Sequence, residues 1–230
     1  GYAMKYSIQV LLLALGASLV APMAGAAGDP EAGADKVGVC AACHGQDGNS
    51  PSSAFPKVAG LGERYLLKQL RDIQAWDLEK DPEAKESTGR KAVQMTGLLA
   101  NMSDQDLADI AAYYDSQSLQ LSGAQELQVQ LNSGEQVDAL ALGEKIYRAG
   151  KPEASVPACT GCHAPNGHGN EPAGFPRLSG QYSEYLEVQL KAFRAGNRMN
   201  DGDSMIMRLV AKGLSDPEIE ALANYIAGLN

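Results

Sequence analysis

Cysteine, histidine and aromatic residues are scarce in this chain of 230 residues: four cysteines, three histidines, one tryptophan and three phenylalanines. So little bulky apolar material leaves the chain poorly equipped to build large cores unaided. A basic stripe is also missing. The formal charge is −9, which excludes nucleic-acid binding as a main role. No sustained alternation of apolar and polar residues marks a strand-rich fold, so a thioredoxin-like redox unit is excluded as well.

What the chain does contain is concentrated. The pentapeptide Cys-x-x-Cys-His occurs twice, at Cys40–His44 and at Cys159–His163, using every cysteine and two of the three histidines. A four-cysteine zinc site gives no reason for a histidine directly after each pair, and a disulfide framework would not fall into two identical pentapeptides. The spacing is that of c-type haem attachment. Two thiols three positions apart lie on one side of a helical turn, where they can add to the two vinyl groups of one haem. The adjacent histidine then faces the iron. Two haem c groups are therefore expected, on Cys40 and Cys43, and on Cys159 and Cys162.

The rest of the sequence is duplicated around these motifs. Phe55–Gly60 matches Phe175–Gly180, Tyr65–Leu70 matches Tyr185–Leu190, and Met102–Leu107 matches Leu214–Ile219. The reading is all-α: two tandem class I cytochrome c modules, each wrapped around one covalent haem, at residues 27–117 and 139–230. The polar stretch 118–138 reads as a connector with no core of its own. Ser103 and Ser215 stand at N-cap positions ahead of one-sided apolar spacing. Middle helices are expected from Glu63 and Ser183, and short helices carrying Val37 and Ile146 before each motif. The haem must supply much of each core, so the chain without it should fold poorly.

Residues 1–26 read as a signal peptide or a retained anchor: Lys5, an apolar run from Ile8 to Val20, then small residues through Ala26. Export follows, because covalent haem attachment belongs outside the inner membrane. The localisation expected is periplasmic, with membrane association through that segment if it stays.

An iron held by one histidine has an open side, which methionine closes in an electron carrier. His168 is the single spare histidine and is expected to be exposed, so two bis-histidine centres are impossible. The candidates are Met95, Met102, Met199, Met205 and Met207. Met95 lies eight residues before Ser103, and Met207 eight before Ser215. The repeat therefore pairs these two, giving His44 with Met95 and His163 with Met207. Met102 and Met205 align with ordinary packing residues, Leu214 and Val93. Pro56 and Pro176, in loops after the motifs, are candidates to accept the histidines' other ring N–H. Arg90 and Arg198 precede the methionines and could pair with haem propionates.

At Ala42–Gly45, Asp47–Ser50, Gly62–Leu70, Val93–Gly97, Ala158–Gly167 and Asn200–Arg208 the chain closely resembles the cytochrome c4 family, dihaem electron carriers of bacterial periplasms. The resemblance covers nearly all of the chain beyond residue 26. It implies His/Met ligation of both haems, agreeing with the repeat register. It also implies electron transfer from the cytochrome bc complex to a haem–copper terminal oxidase, often of the cbb3 type. An acidic carrier would meet basic docking patches quickly. No bond of a substrate changes, so no catalytic residues are expected. The charged, irregular segment Ala75–Ser87 departs from the family pattern. Two other roles compete with this one: a c-type subunit fixed within a respiratory assembly, and a dihaem peroxidase, which needs a vacant iron site that the matched methionines argue against.

Overall fold

The computed structural model describes residues 27–230, so the signal-like segment lies outside the described residues. Helices dominate, arranged as two modules of the same build. In the first, α1 (Pro30–Ala34), α2 (Gly38–His44), α3 (Glu63–Leu78), α4 (Pro82–Thr88) and α5 (Asp104–Asp115) follow one another. In the second, α6 (Ala139–Ala149), α7 (Thr160–His163), α8 (Ser183–Ala195), α9 (Ile206–Lys212) and α10 (Asp216–Gly228) follow a similar plan, except that α9 carries Met207 and so matches the segment around Met95, not α4. Among the described residues no helix is long and apolar enough to cross a membrane.

Each module is closed where its first helix crosses its last, and small residues make the crossing possible. A Cβ on Gly33 of α1 would stand 2.1 Å from the Asp109 carbonyl oxygen of α5, and one on Gly143 of α6 would stand 2.3 Å from that of Ala221 in α10. Backbone meets backbone at both points. The last helices start firmly. Ser103 and Ser215 form capping boxes with Asp106 and Glu218, satisfying amide groups that a helix end otherwise leaves bare. Each box acid also holds a lysine from earlier in its own module: Lys36 Nζ lies 2.7 Å from Asp106 and 2.5 Å from Asp109, and Lys151 Nζ 2.7 Å from Glu218. Inward, Leu107, Ile110 and Ala111 of α5 and Ile219, Leu222 and Ile226 of α10 are buried. That is the helical spacing of one apolar face.

Three segments differ from expectation. Val37 is fully buried but caps α2 instead of lying in a helix, because α1 stops where Lys36 turns back to Asp106 and Asp109. Ala75–Ser87 is largely helical: α3 runs through Leu78, and Asp81 with Pro82 starts α4, the Asp81 carboxylate accepting from two α4 amides. The stretch 118–138 contains a hairpin, β1 (Gln128–Gln130) paired antiparallel with β2 (Gln136–Asp138), with Gly134 at φ 90° in its turn. Val129 is 2% exposed and packs with Ala139 and Ala221, so the hairpin leans on the second module.

The start of that stretch straps the modules together. Asn49 pins Ser118 and Gln120 at 2.9 and 2.7 Å, and Lys57 Nζ donates to the Gln120 carbonyl. Ser122 then donates to Gly180 and Gly123 to Ala227 in the second module. Across the same contact the Gln181 carboxamide meets both backbone groups of Lys57, at 3.0 and 2.8 Å. These buried backbone groups are fully paired between modules, so the two halves form one packed body.

Candidate functional site

The two Cys-x-x-Cys-His motifs fold into short helices, as the close spacing of their side chains requires. Cys40, Cys43 and His44 lie on α2; Cys159 caps α7, which carries Cys162 and His163. None of the four cysteines is paired in a disulfide, and all four are half-buried. Burial raises the Cys40 thiol above its ordinary pKa and pushes Cys159 up to about 11. When haem is attached, the two sulfurs of each motif would hold its vinyl groups as thioethers.

The histidines are fixed in orientation. His44 Nδ1 lies 2.8 Å from the Pro56 carbonyl, and His163 Nδ1 3.0 Å from that of Pro176. A carbonyl only accepts, so each Nδ1 carries the hydrogen and each Nε2 keeps its lone pair. Burial lowers both imidazole pKa values, opposed in part by those hydrogen bonds. Two neutral rings with a free, aimed nitrogen are suited to bind a metal. Phe55 and Phe175 pack against the rings, with centroids 6.3 and 6.1 Å away.

In the first module these groups open onto a cavity of roughly 1000 Å³. Its wall includes Cys40, Cys43, His44, Leu66, Ile73 and Met95, which places the motif and the methionine in one mostly apolar space. That volume is at the upper end for a site enclosing a drug-sized ligand. Met102 is wedged between two core clusters and is not part of this wall. In the second module Met207 packs on the main core with Cys159, while Met205 is 39% exposed at positive φ. His168 is exposed and bonded to Asn166.

Arg90 and Arg198 both reach the first cavity, at the module boundary. Arg198 is 8% exposed, and neither guanidinium has a carboxylate partner among the described residues. Buried unpaired charge is costly unless an anion approaches it. Two thiols, a neutral histidine, a thioether, an apolar wall and two unpaired cations fit a haem, whose propionates are the matching anions.

Sequence reasoning missed several residues at this site. Tyr185, Gln189 and Val188 come from the second module yet line the first module's cavity, with Tyr65 and Gln69 opposite, and Met199, a candidate ligand for the second half, lines it too. The signal was present, since the repeat holds Tyr65 and Gln69 in register with Tyr185 and Gln189.

Comparison with known proteins places this geometry. The cytochrome c family model matches residues 31–118 and again 140–230. Cytochrome c4 of Stutzerimonas stutzeri is 56% identical over 221 residues, covering 96% of this chain and 97% of that protein. Cytochrome c4 of Azotobacter vinelandii is 51% identical over 227 residues, covering 99% of this chain and all of the relative. The crystal structure of reduced recombinant cytochrome c4 from Pseudomonas stutzeri superposes with a TM-score of 0.80 at 55% identity, over 89% of this chain and 100% of that one.

Proposed function

The chain belongs to the cytochrome c4 family, an electron-transfer protein with two haem c groups, and from that premise we propose that its histidines and methionines close both irons, so that electrons alone pass through it. His44 with Met95 and His163 with Met207 are the ligands, and Cys40, Cys43, Cys159 and Cys162 the attachment points. When bound, the haem would supply reversible one-electron chemistry, with thioether ligation raising its potential.

The chain's own residues do three things. The Pro56 and Pro176 carbonyls hold the imidazoles in one tautomer and orientation. The apolar cavity wall keeps water from the metal side, and Arg90 and Arg198 supply positive charge at its edge. The observation that carries the reading is the first of these: in both modules a proline carbonyl takes up Nδ1 of the motif histidine and leaves Nε2 as the nitrogen free to bind a metal. No acid–base pair is poised for bond chemistry in this account, and the protein is a carrier, not an enzyme.

In the proposed setting, the periplasm, the donor is the cytochrome bc complex and the acceptor a haem–copper oxidase of the cbb3 type. The test is stopped-flow mixing of the oxidised holoprotein with reduced bc complex, followed by oxidase and oxygen. Two electrons per chain should be taken up and then delivered. Failure of either exchange would remove that partner. Rapid carbon monoxide binding to the reduced native protein would overturn closed ligation and favour a peroxidase-like centre.

A further inference from the structure

The boundary between the modules contains a crossed set of contacts that the repeat makes nearly symmetric. Arg90 donates from Nη1 to Gln69 of its own module at 2.9 Å, and from Nη2 to Tyr185 and Gln189 of the other module at 2.9 and 3.3 Å. Arg198 does the mirror image: Nη1 to its own Gln189 at 2.7 Å, Nη2 to Tyr65 and Gln69 across the boundary at 3.2 and 2.9 Å. Each arginine is thus shared between the modules, and Arg198 alone has a second partner in its own module, donating from Nε to Asn200 at 3.0 Å. An arginine side chain has about 2 kcal/mol of rotamer entropy to lose, so several acceptors are needed to hold it in one pose.

The symmetry breaks in one place. Lys68 and Asp72 on α3 correspond by the repeat to Val188 and Ala192 on α8. Asn200 donates to Asp72 at 2.6 Å and to Gln69 at 2.9 Å, and Lys68 donates to the Asn200 carbonyl at 2.7 Å. Asn200, held in this way, accepts from Arg198 and steadies it. Arg90, whose second module partners are Tyr185 and Gln189 alone, has no such support. Both arginines, both tyrosines and both glutamines line the first cavity.

We propose that Tyr185 and Gln189 are positioning residues for the redox centre of the first module, holding Arg90 against the cavity from the second module. The charge felt by the first haem is then set partly across the boundary, and the first module on its own lacks a complete site. Burial disfavours the Arg90 charge, but the surrounding phenol oxygens and Asp72 outweigh this and keep the guanidinium protonated.

This rests on the proposal that a haem with His44 and Met95 occupies the first cavity. The experiment uses the two-haem holoprotein and reads both reduction potentials by spectroelectrochemistry, with the centres assigned by nuclear magnetic resonance of their methionine ligands. A positive charge held nearby favours the reduced iron, so freeing it lowers the potential. Tyr185→Phe should therefore shift the distribution of one electron between the two centres roughly three- to tenfold toward the second. Arg90→Gln should do the same, and Tyr185→Phe added to Arg90→Gln should change nothing further. If Tyr185→Phe is lost on expression, Tyr185→Leu is read in the same way. Equal shifts at both centres, no shift, or a full Tyr185→Phe effect in the Arg90→Gln background would overturn the positioning role. Wild-type spectra lacking methionine ligation at the first iron would instead overturn the underlying reading.

Discussion

Gly143→Ala tests the crossing of α6 and α10 at a defined magnitude. The new Cβ would lie 2.3 Å from the Ala221 carbonyl oxygen and 2.6 Å from Tyr225 Cβ. Ordinary contacts of this kind begin near 3.4 Å, so α6 and α10 must part by about 1 Å. Neither neighbour can swing aside, because one is backbone and the other is anchored at Cβ. Inserting a methyl into packing of this density costs about 1–3 kcal/mol, and separating α10 loosens Ile219, Leu222 and Ile226 together, which places the loss at the upper end. Exchanging glycine for alanine within a helix returns about 1 kcal/mol. The net loss is therefore about 2 kcal/mol, or roughly 10 °C in the melting midpoint of a module this size. Gly38→Ala is the control: a Cβ there meets nothing within 4 Å, so the change should be neutral or stabilising by up to about 1 kcal/mol. Thermal unfolding of the holoprotein followed by far-ultraviolet circular dichroism reads both. Equal midpoints for Gly143→Ala and wild type would refute the backbone-level crossing.

Three further outcomes follow from particular groups. Ser179 Oγ is fully buried without a hydrogen-bond partner, whereas the repeat places Ala59 at the matching position, so Ser179→Ala should stabilise by about 1 kcal/mol in urea titration; a loss of stability would mean the hydroxyl has a function in the core. Gln181→Leu leaves the buried Lys57 amide and carbonyl unpaired, and should cost about 2–4 kcal/mol and expose the strap at residues 118–123 to protease; unchanged cleavage would show that the strap stands alone. Lys36 donates to Asp109 and Asp106, lowering both carboxyl pKa values, while its own is raised. Depressed acids stabilise the fold above their ordinary value near 4 and lose that contribution as pH falls through the folded value, whereas the lysine's part disappears only above its usual range. The first module should therefore weaken below about pH 4, and Asp109→Asn should flatten that dependence; an unchanged acid slope would remove the triad from the account.

The strongest features of the molecule were visible in the sequence because they are local or repeated. Ser103 and Ser215 announced the last helices through capping chemistry that needs four adjacent residues. The repeat pointed to Pro56 and Pro176 as partners for His44 and His163, a spacing that the loops after each motif bring within hydrogen-bond distance. What escaped was set by long-range packing. Val129 is a single buried position in a three-residue strand, too short for alternation to register. Val37 takes its place from Lys36 turning toward a helix some seventy residues on. Arg90 and Arg198 were recognised as candidates, but their crossed partners depend on how α3 and α8 face each other, which no local pattern encodes. Met199 similarly reaches a cavity built by the other module.

The central claim is methionine closure of both irons, and the weak far-red methionine–iron absorption of the oxidised holoprotein tests it most directly. Met95→Ala and Met207→Ala should each remove about half of that band and open one centre to carbon monoxide, while Met102→Ala and Met205→Ala leave it whole. A full band in either of the first two variants would contradict the account.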